Sequence, residues 1–366
     1  MAAEVEKRAV LPPRAAIPGP LAWARKNLFA TPVDAILTIL IVGLLVWVVP
    51  PLVRWLFINA TWTATNRDQC APNGACWGMI ADRIRQYVFG LYPYDQDWRV
   101  VLGGVLLLLG VAPLLVGRWS GKRWYVLGLV IVYPIVAAKL FGGGVAGLEP
   151  VDSNLWGGLF LTLLISIVGI VASFPLGIVF ALGRRSDLPI IRGLCVTFIE
   201  IIRGVPLVTV LFMASVMLPL FFPPGWTIDK LTRALIGVVI FSGAYLAEVI
   251  RGGLQAIPKG QYEAAKALGL GYWQSMGLII LPQALRLVIP GIVNSFIALF
   301  KDTSLVFIMG LYDLLNIARL IVVSKEWLGH DVETYVFAGF GFWIFCFAMS
   351  RFSQSLERRL HTGHRH

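Results

Sequence analysis

Among the charged side chains inside runs otherwise apolar enough for lipid, four are candidates for chemistry: Arg203 in "EIIRGVPLV", Glu248 in "SGAYLAEVIRGG", and the neighbours Lys301 and Asp302 in "FKDTSLV". An ionised group at the bilayer centre costs at least ~2.5–3.5 kcal/mol on insertion scales, so each must face protein or water. Two kinds of chemistry fit. Taken singly, each residue serves as an interhelical or interfacial brace, and Glu200 and Arg203, three apart on one helical face, are spaced to pair. Lys301 and Asp302 are adjacent, share no face, and need partners on other helices. Taken as a group with Ser242, Tyr245, Asn294, Thr303 and Ser304, the same residues read as a path for a polar solute.

Signatures of covalent, metal or nucleotide chemistry are missing. There is no Gly-x-Ser-x-Gly, His-Glu-x-x-His or Cys-x-x-Cys, and "GRWSGKRW" lacks the glycine spacing and the Ser/Thr of a phosphate-binding loop. All four histidines lie outside the apolar runs, and the C-terminal "HTGHRH" reads as a solvated tail, so no metal site is expected.

A different signal sits in "GQYEAAKALGLGYWQSMGLIILPQALR", Gly260 to Arg286, a polar interruption about thirty residues long. Pro258 stands where a helix can begin but not continue. Residues 261–268 are good helix formers, Gly269 is placed for a left-handed C-cap, and Glu263 is expected in the first turn, where a carboxylate complements the helix dipole. Ala264, Ala265 and Ala267 keep this helix thin, so another backbone can approach. Two turns are too short to be stable alone in water, and such a helix needs a partner.

The elements that must position these residues follow from composition. The chain of 366 residues is 58% hydrophobic and only 14% charged, where a soluble domain has roughly 25%. With a mean hydropathy of +0.78, it is an integral membrane protein. Eight spans are expected, at about 37–57, 100–117, 124–141, 155–182, 195–222, 232–250, 288–310 and 332–350. The fourth and fifth are long enough to tilt or break, and Pro175, Gly177, Pro206 and Pro219 offer places. Residues 311–331 carry Asp313, Arg319, Lys325 and Glu326 and read as an interfacial helix.

The net charge of +11 is explained by topology rather than by nucleic acid. With a cytoplasmic N-terminus, inward segments hold 19 Lys and Arg and outward ones 7, which favours both termini in the cytoplasm and places 251–287 there. No cleavable signal peptide is evident. Cys70 and Cys76, in the outer loop 58–99, are candidates for a disulfide on an oxidising side, with two free thiols the alternative. Cys195 and Cys346 read as packing residues.

The chain divides by composition into a cytoplasmic tail 1–36, a three-span extension 37–150 whose loop 58–99 looks like a small ordered cap, a five-span part 151–352 entered through the glycine-rich "FGGGVAGLEP", and a tail 353–366. No internal repeat is evident.

"EAAKALGLGYWQSMGLIILP" matches Glu-Ala-Ala-x3-Gly-x9-Ile-x-Leu-Pro, from Glu263 through Gly269 and Ile279 to Leu281–Pro282. This resembles the EAA motif of permease subunits of ABC importers. "IIRGVPLV", "AYLAEVIRGGLQAIPKGQYEAA" and "QALRLVIPGIVNSFIALFKDTSLV" resemble the polar-amino-acid uptake family over roughly 151–352, and the layout resembles the longer permease subunit of general L-amino-acid transporters. The resemblance implies an all-α type I ABC importer fold with a five-helix core. It implies that a helix bearing Glu263, Ala264, Ala265, Lys266 and Gly269 docks on a cytoplasmic ATPase, which carries the ATP and Mg that this chain lacks. It further implies a second permease subunit, commonly a different chain, a periplasmic binding protein, an amino-acid substrate and a place in the bacterial inner membrane. An ion-gradient carrier, with Glu248 or Asp302 as coupling site, is the alternative from the residues alone. An assembly scaffold or an intramembrane enzyme is the third.

Overall fold

The computed structural model describes residues 19–116, 120–145, 147–223 and 225–361. The start of the N-terminal tail and the last histidines of "HTGHRH" lie outside the described residues. Contacts divide the chain into two compact units, Met1–Trp62 with Cys70–Cys76, and Thr63–Gln69 with Trp77–His366.

The first unit holds α1 (Pro20–Asn27) and α2 (Pro32–Val53). A capping box starts α2: the Thr31 hydroxyl oxygen accepts from the Asp34 amide at 3.2 Å, and the Asp34 carboxylate accepts from the Thr31 amide at 3.1 Å. Pro32 supplies a preset first helical residue. Cys70 and Cys76 are joined as a disulfide, with Cα atoms 5.5 Å apart.

The second unit is helical almost throughout: α3 (Gly78–Phe89), α4 (Asp97–Leu115), α5 (Lys122–Gly142), α6 (Gly158–Arg184), α7 (Pro189–Gly204), α8 (Leu207–Val216), α9 (Lys230–Ala256), α10 (Lys259–Ala267), α11 (Tyr272–Ser275), α12 (Leu281–Leu287), α13 (Ile289–Asp302), α14 (Leu314–Val322) and α15 (Asp331–His361). Seven helices among the described residues can cross a membrane by length and composition, eight with the bent pair α7–α8 counted as one. They coincide with the eight apolar runs, although the last extends to Arg358.

The break between α7 and α8 is 105°. Its cause is local. Val205, preceding Pro206, is held extended at φ −117°, ψ 148°, as steric conflict with a proline ring requires. Pro175, by contrast, is carried within α6 without ending it, as prolines are where a helix is packed among others. The main seam of the bundle is α6 against α9. A Cβ on Gly177 would lie 2.8 Å from Leu246 Cβ, and one on Gly243 2.9 Å from a Leu176 methyl, so two facing glycines permit the approach.

The compact units do not divide at residue 150. Phe141 of α5 packs edge-on against Trp156 and Phe160 at 5.9 and 5.0 Å. Helix α3 lies on α6 and α14, and its Tyr87 meets Phe337 of α15 at 4.8 Å. The segment expected to be interfacial is different in kind: α14 is too short to span, but Leu314, Asn316, Ile317, Ala318, Ile321 and Val322 are all buried. The charges that suggested an interface serve locally. Asp313 caps α14, accepting from the Asn316 amide at 3.0 Å, and burial pushes its carboxyl up to about 6 against the pull of the Asn316 donors.

Candidate coupling helix and solute cavity

Helix α10 begins at Lys259, two residues before the expected start, with Pro258 as its N-cap. Glu263 therefore sits in the second turn, beyond the reach of the N-terminal dipole, which falls off within one turn. Gly269 ends the helix at φ +72°. Its amide donates to Lys266 O at 3.0 Å, and the Leu270 amide reaches back to Ala265 O at 3.2 Å. A Cβ on Gly269 would meet nothing within 4 Å, so the backbone conformation, not space, asks for glycine; a branched residue there would cost about 1–2 kcal/mol.

One face of α10 is tied to the bundle. Ala265 is 1% exposed, and the Tyr262 hydroxyl donates to Leu254 O at 2.9 Å while accepting from Arg185 Nη1 at 3.0 Å. Gln283 donates to Gln261 Oε1 at 3.1 Å. The opposite face is open: Glu263, Ala264 and Lys266 are exposed, and so are Leu268 and Trp273, at 75% and 74%. This corrects one expectation. Ala265 packs inward and presents nothing to another protein. Sequence reasoning missed Leu268, Tyr272 and Trp273 as part of the open face. Large apolar residues in a polar interruption were the available signal.

A cluster of charges lies where α6, α7 and α9 end beside α10. Arg184 Nη1 is 2.8 Å from Glu200 Oε1 and 2.9 Å from Glu248 Oε1. Arg251 Nη2 is 2.8 Å and Arg203 Nη1 3.7 Å from Glu248 Oε2. The Glu248 side chain is 14% exposed, and three guanidinium groups supply the charge and donors that water would. Glu200 and Arg203, spaced to pair with each other, are bound to Arg184 and Glu248 instead.

One turn along α9 the polar surface opens. A cavity of about 430 Å³ is lined by Phe241, Ser242 and Tyr245 from α9 and by Asn294, Ala298 and Asp302 from α13. The three α13 residues recur every four positions and share a stripe. Asp302 has no hydrogen-bond or ion-pair partner among the described residues. A second hollow of about 640 Å³, between α5, α6, α12, α13 and α15, is apolar except for Arg286 of α12, which suits lipid and not a polar solute.

Of the nine residues expected on a solute path, four line this cavity: Ser242, Tyr245, Asn294 and Asp302. The other five do not line it. Glu248 and Arg203 belong to the ion-pair cluster. Thr303 is buried with its hydroxyl donating to Phe300 O at 2.8 Å, Ser304 donates to Lys301 O at 3.0 Å, and Lys301 is exposed. Both hydroxyls follow the usual bond to the preceding turn's carbonyl, which sequence spacing does not separate from an open site.

A family model for the inner membrane component of binding-protein-dependent transport systems matches residues 173–362. The chain is 53% identical over 343 residues to the inner membrane amino-acid ABC transporter permease protein YhdY of Escherichia coli, covering 94% of each chain. The chain belongs to this family. It is also 40% identical to the glutamate/glutamine/aspartate/asparagine transport system permease protein BztC of Rhodobacter capsulatus, covering 95% of each, so the likeness includes the N-terminal extension. A crystal structure of an amino acid ABC transporter with histidines is 31% identical over 55% of this chain and 92% of its own, with a TM-score of 0.48.

With membership, the all-α importer-permease fold expected from the EAA spacing stands. The protein is a multi-pass inner-membrane permease subunit of an ATP-driven importer and not itself an enzyme. The family works with a binding protein and an ATPase, and the ion-gradient carrier finds no support in these relatives.

Proposed function

We propose that this permease imports amino acids, with α10 as the helix through which a separate ATPase drives it. The observation that carries this reading is the two-sidedness of α10. Its inner face is bonded to Arg185 just past α6, to α9 and to α12. Its outer face holds Glu263, Ala264 and Lys266 beside the exposed Leu268 and Trp273. Apolar groups with a polar rim are the composition of an interface, not of a solvated loop. Gly269 fixes where the chain turns away. ATP and Mg bind on the ATPase, and its closure rocks this chain and a second, non-identical permease subunit between inward- and outward-facing states. Both termini and α10 face the cytoplasm, following the Lys/Arg bias, and a periplasmic binding protein delivers the solute at the opposite end.

The cavity supplies the chemistry for the cargo. Asp302 offers an unpaired carboxylate for an α-ammonium group, and Ser242, Tyr245 and Asn294 offer donors and acceptors for the carboxylate end. These contacts address the part common to all amino acids.

The test is purification of the tagged chain from its native membrane. An ATP-hydrolysing subunit should travel with it, and Gly269→Val should lose that subunit while the permease remains inserted, with uptake falling to background. A wild-type chain that purifies alone, or a Gly269→Val chain with full uptake, would refute the docking role of α10.

A further inference from the structure

A continuous set of contacts runs from the solute cavity to α10, and nothing in the docking role or the cavity chemistry requires it. The Tyr245 ring, on the cavity wall, lies 5.4 Å from the Arg203 guanidinium of α7. Arg203 reaches Glu248 at 3.7 Å, and Glu248 holds Arg184 at 2.9 Å. Arg184 is the last residue of α6, and its chain neighbour Arg185 donates to the Tyr262 hydroxyl at 3.0 Å, with its guanidinium 5.5 Å from the Tyr262 ring. Adjacent arginines thus diverge, one into the ion-pair cluster and one onto α10.

We infer that Arg184, Arg185 and Tyr262 are positioning residues that link the place of α10 to the bend between α7 and α8. The inference rests on the proposal that α10 receives the ATPase's movement. Three observations support it. First, the end of α6 is a corner. Arg185 caps the helix, its amide bonded to Leu182 O at 3.0 Å and its side chain turned to α10, whereas Arg184 is held by two carboxylates on two helices. Pulling α10 displaces Arg185 and, through the shared backbone, the group that joins α7 to α9. Second, the element at the far end has a built-in joint. Arg203 lies directly before the 105° break at Val205–Pro206, so a change in its hold on Glu248 acts on a hinge rather than on a rigid rod. Third, the Arg203 attachment is the weakest in the cluster. It is the longest of the contacts to Glu248, and the buried Arg203 Nε has no partner. Tight pairs at 2.8–2.9 Å carry the load, and the slack one sits at the joint. Coupling between distant sites needs an element with two arrangements that both sites bias, and the α7–α8 bend meets that description.

The experiment uses the purified complex of permease, ATPase and binding protein in proteoliposomes, scoring ATP hydrolysed per amino acid transported. Tyr262→Phe keeps the ring and removes both hydroxyl bonds. The expected result is a complex that retains its ATPase and hydrolyses ATP but transports less, so that ATP per amino acid rises by at least roughly fivefold, the low end of couplings between sites. Arg185→Gln reads the same contact from the other side and should match it. Arg184→Gln combined with Tyr262→Phe should be no worse than the worse single change, because both cut one path. An unchanged ratio in Tyr262→Phe and Arg185→Gln overturns the inference while leaving the docking proposal intact. Loss of the ATPase from both also overturns it, since the contact would then serve docking rather than transmission. A strictly additive double variant means two independent routes and does the same. If wild-type transport needs no ATP, the docking proposal itself fails.

Discussion

On one side of Tyr245, α9 presents Ser242 to an open cavity shared with Asp302; on the other, Glu248 is enclosed by Arg184, Arg203 and Arg251. Both regions put a carboxylate within a helix apolar enough to cross a membrane, and both answer the same desolvation problem. Glu248 does so with protein charges, and little space remains for anything else. Asp302 does so by facing a cavity, which leaves its charge available to a passing solute. Polarity in a span therefore does not by itself mark a transport site. The partner decides: a charge satisfied by other side chains holds helices together, and a charge left to open space can bind cargo.

The comparison is sharpest at Glu248. Glu248→Ala would leave three arginines facing one another, and removing one member of a buried pair costs about 3 kcal/mol or more. The expected outcome is a large fall in thermal midpoint and in the amount of folded permease in the membrane. A variant with wild-type stability would mean that Glu248 is not a brace and belongs with the cavity after all.

Asp302→Asn should behave in the opposite manner. It removes an unpaired charge, so the thermal midpoint should hold or rise slightly. ATP-driven uptake should fall on the order of tenfold, equivalent to about 1.4 kcal/mol of barrier. Uptake at the wild-type rate with unchanged selectivity would empty the cavity of its proposed role.

Asp313 gives a smaller effect and a third environment, a carboxylate buried among hydrogen-bond donors with neither a paired cation nor a cavity. Its folded-state value is raised to about 6, so the folded protein holds the proton more tightly than the unfolded chain does. The associated stability is present in full below the ordinary carboxylate range and is lost as pH rises through about 6. Asp313→Asn should flatten the thermal midpoint between about pH 4 and about pH 6. A slope that persists in the variant would assign it to another group.

Much of the fold was legible before any coordinates. Apolar runs marked the spans because a bilayer demands about twenty such residues of each helix, and Pro206 was one of four places offered for a break, the one where the residue before a proline does leave helical backbone. Gly269 announced its cap. What could not be read was partnership across helices. Glu248 finds Arg184 on α6 and Arg203 on α7, and no local period encodes those meetings. Glu200 and Arg203 were well spaced to pair, yet Glu200 binds Arg184 and Arg203 binds Glu248 on other helices. Ala265 shows the same limit at small scale. In a helix of two turns the inner and outer faces differ by one residue, and composition does not say which alanine turns inward. The charges around α14 likewise suggested a surface, where the structure uses Asp313 to cap a buried helix.

The most direct test of the account is the energy source. The permease complex, with its binding protein, is placed in proteoliposomes carrying ATP inside, and uptake of a labelled amino acid is followed with and without an uncoupler. Uptake should require internal ATP and survive collapse of the proton gradient. Uptake that proceeds without ATP and vanishes with the gradient would contradict it.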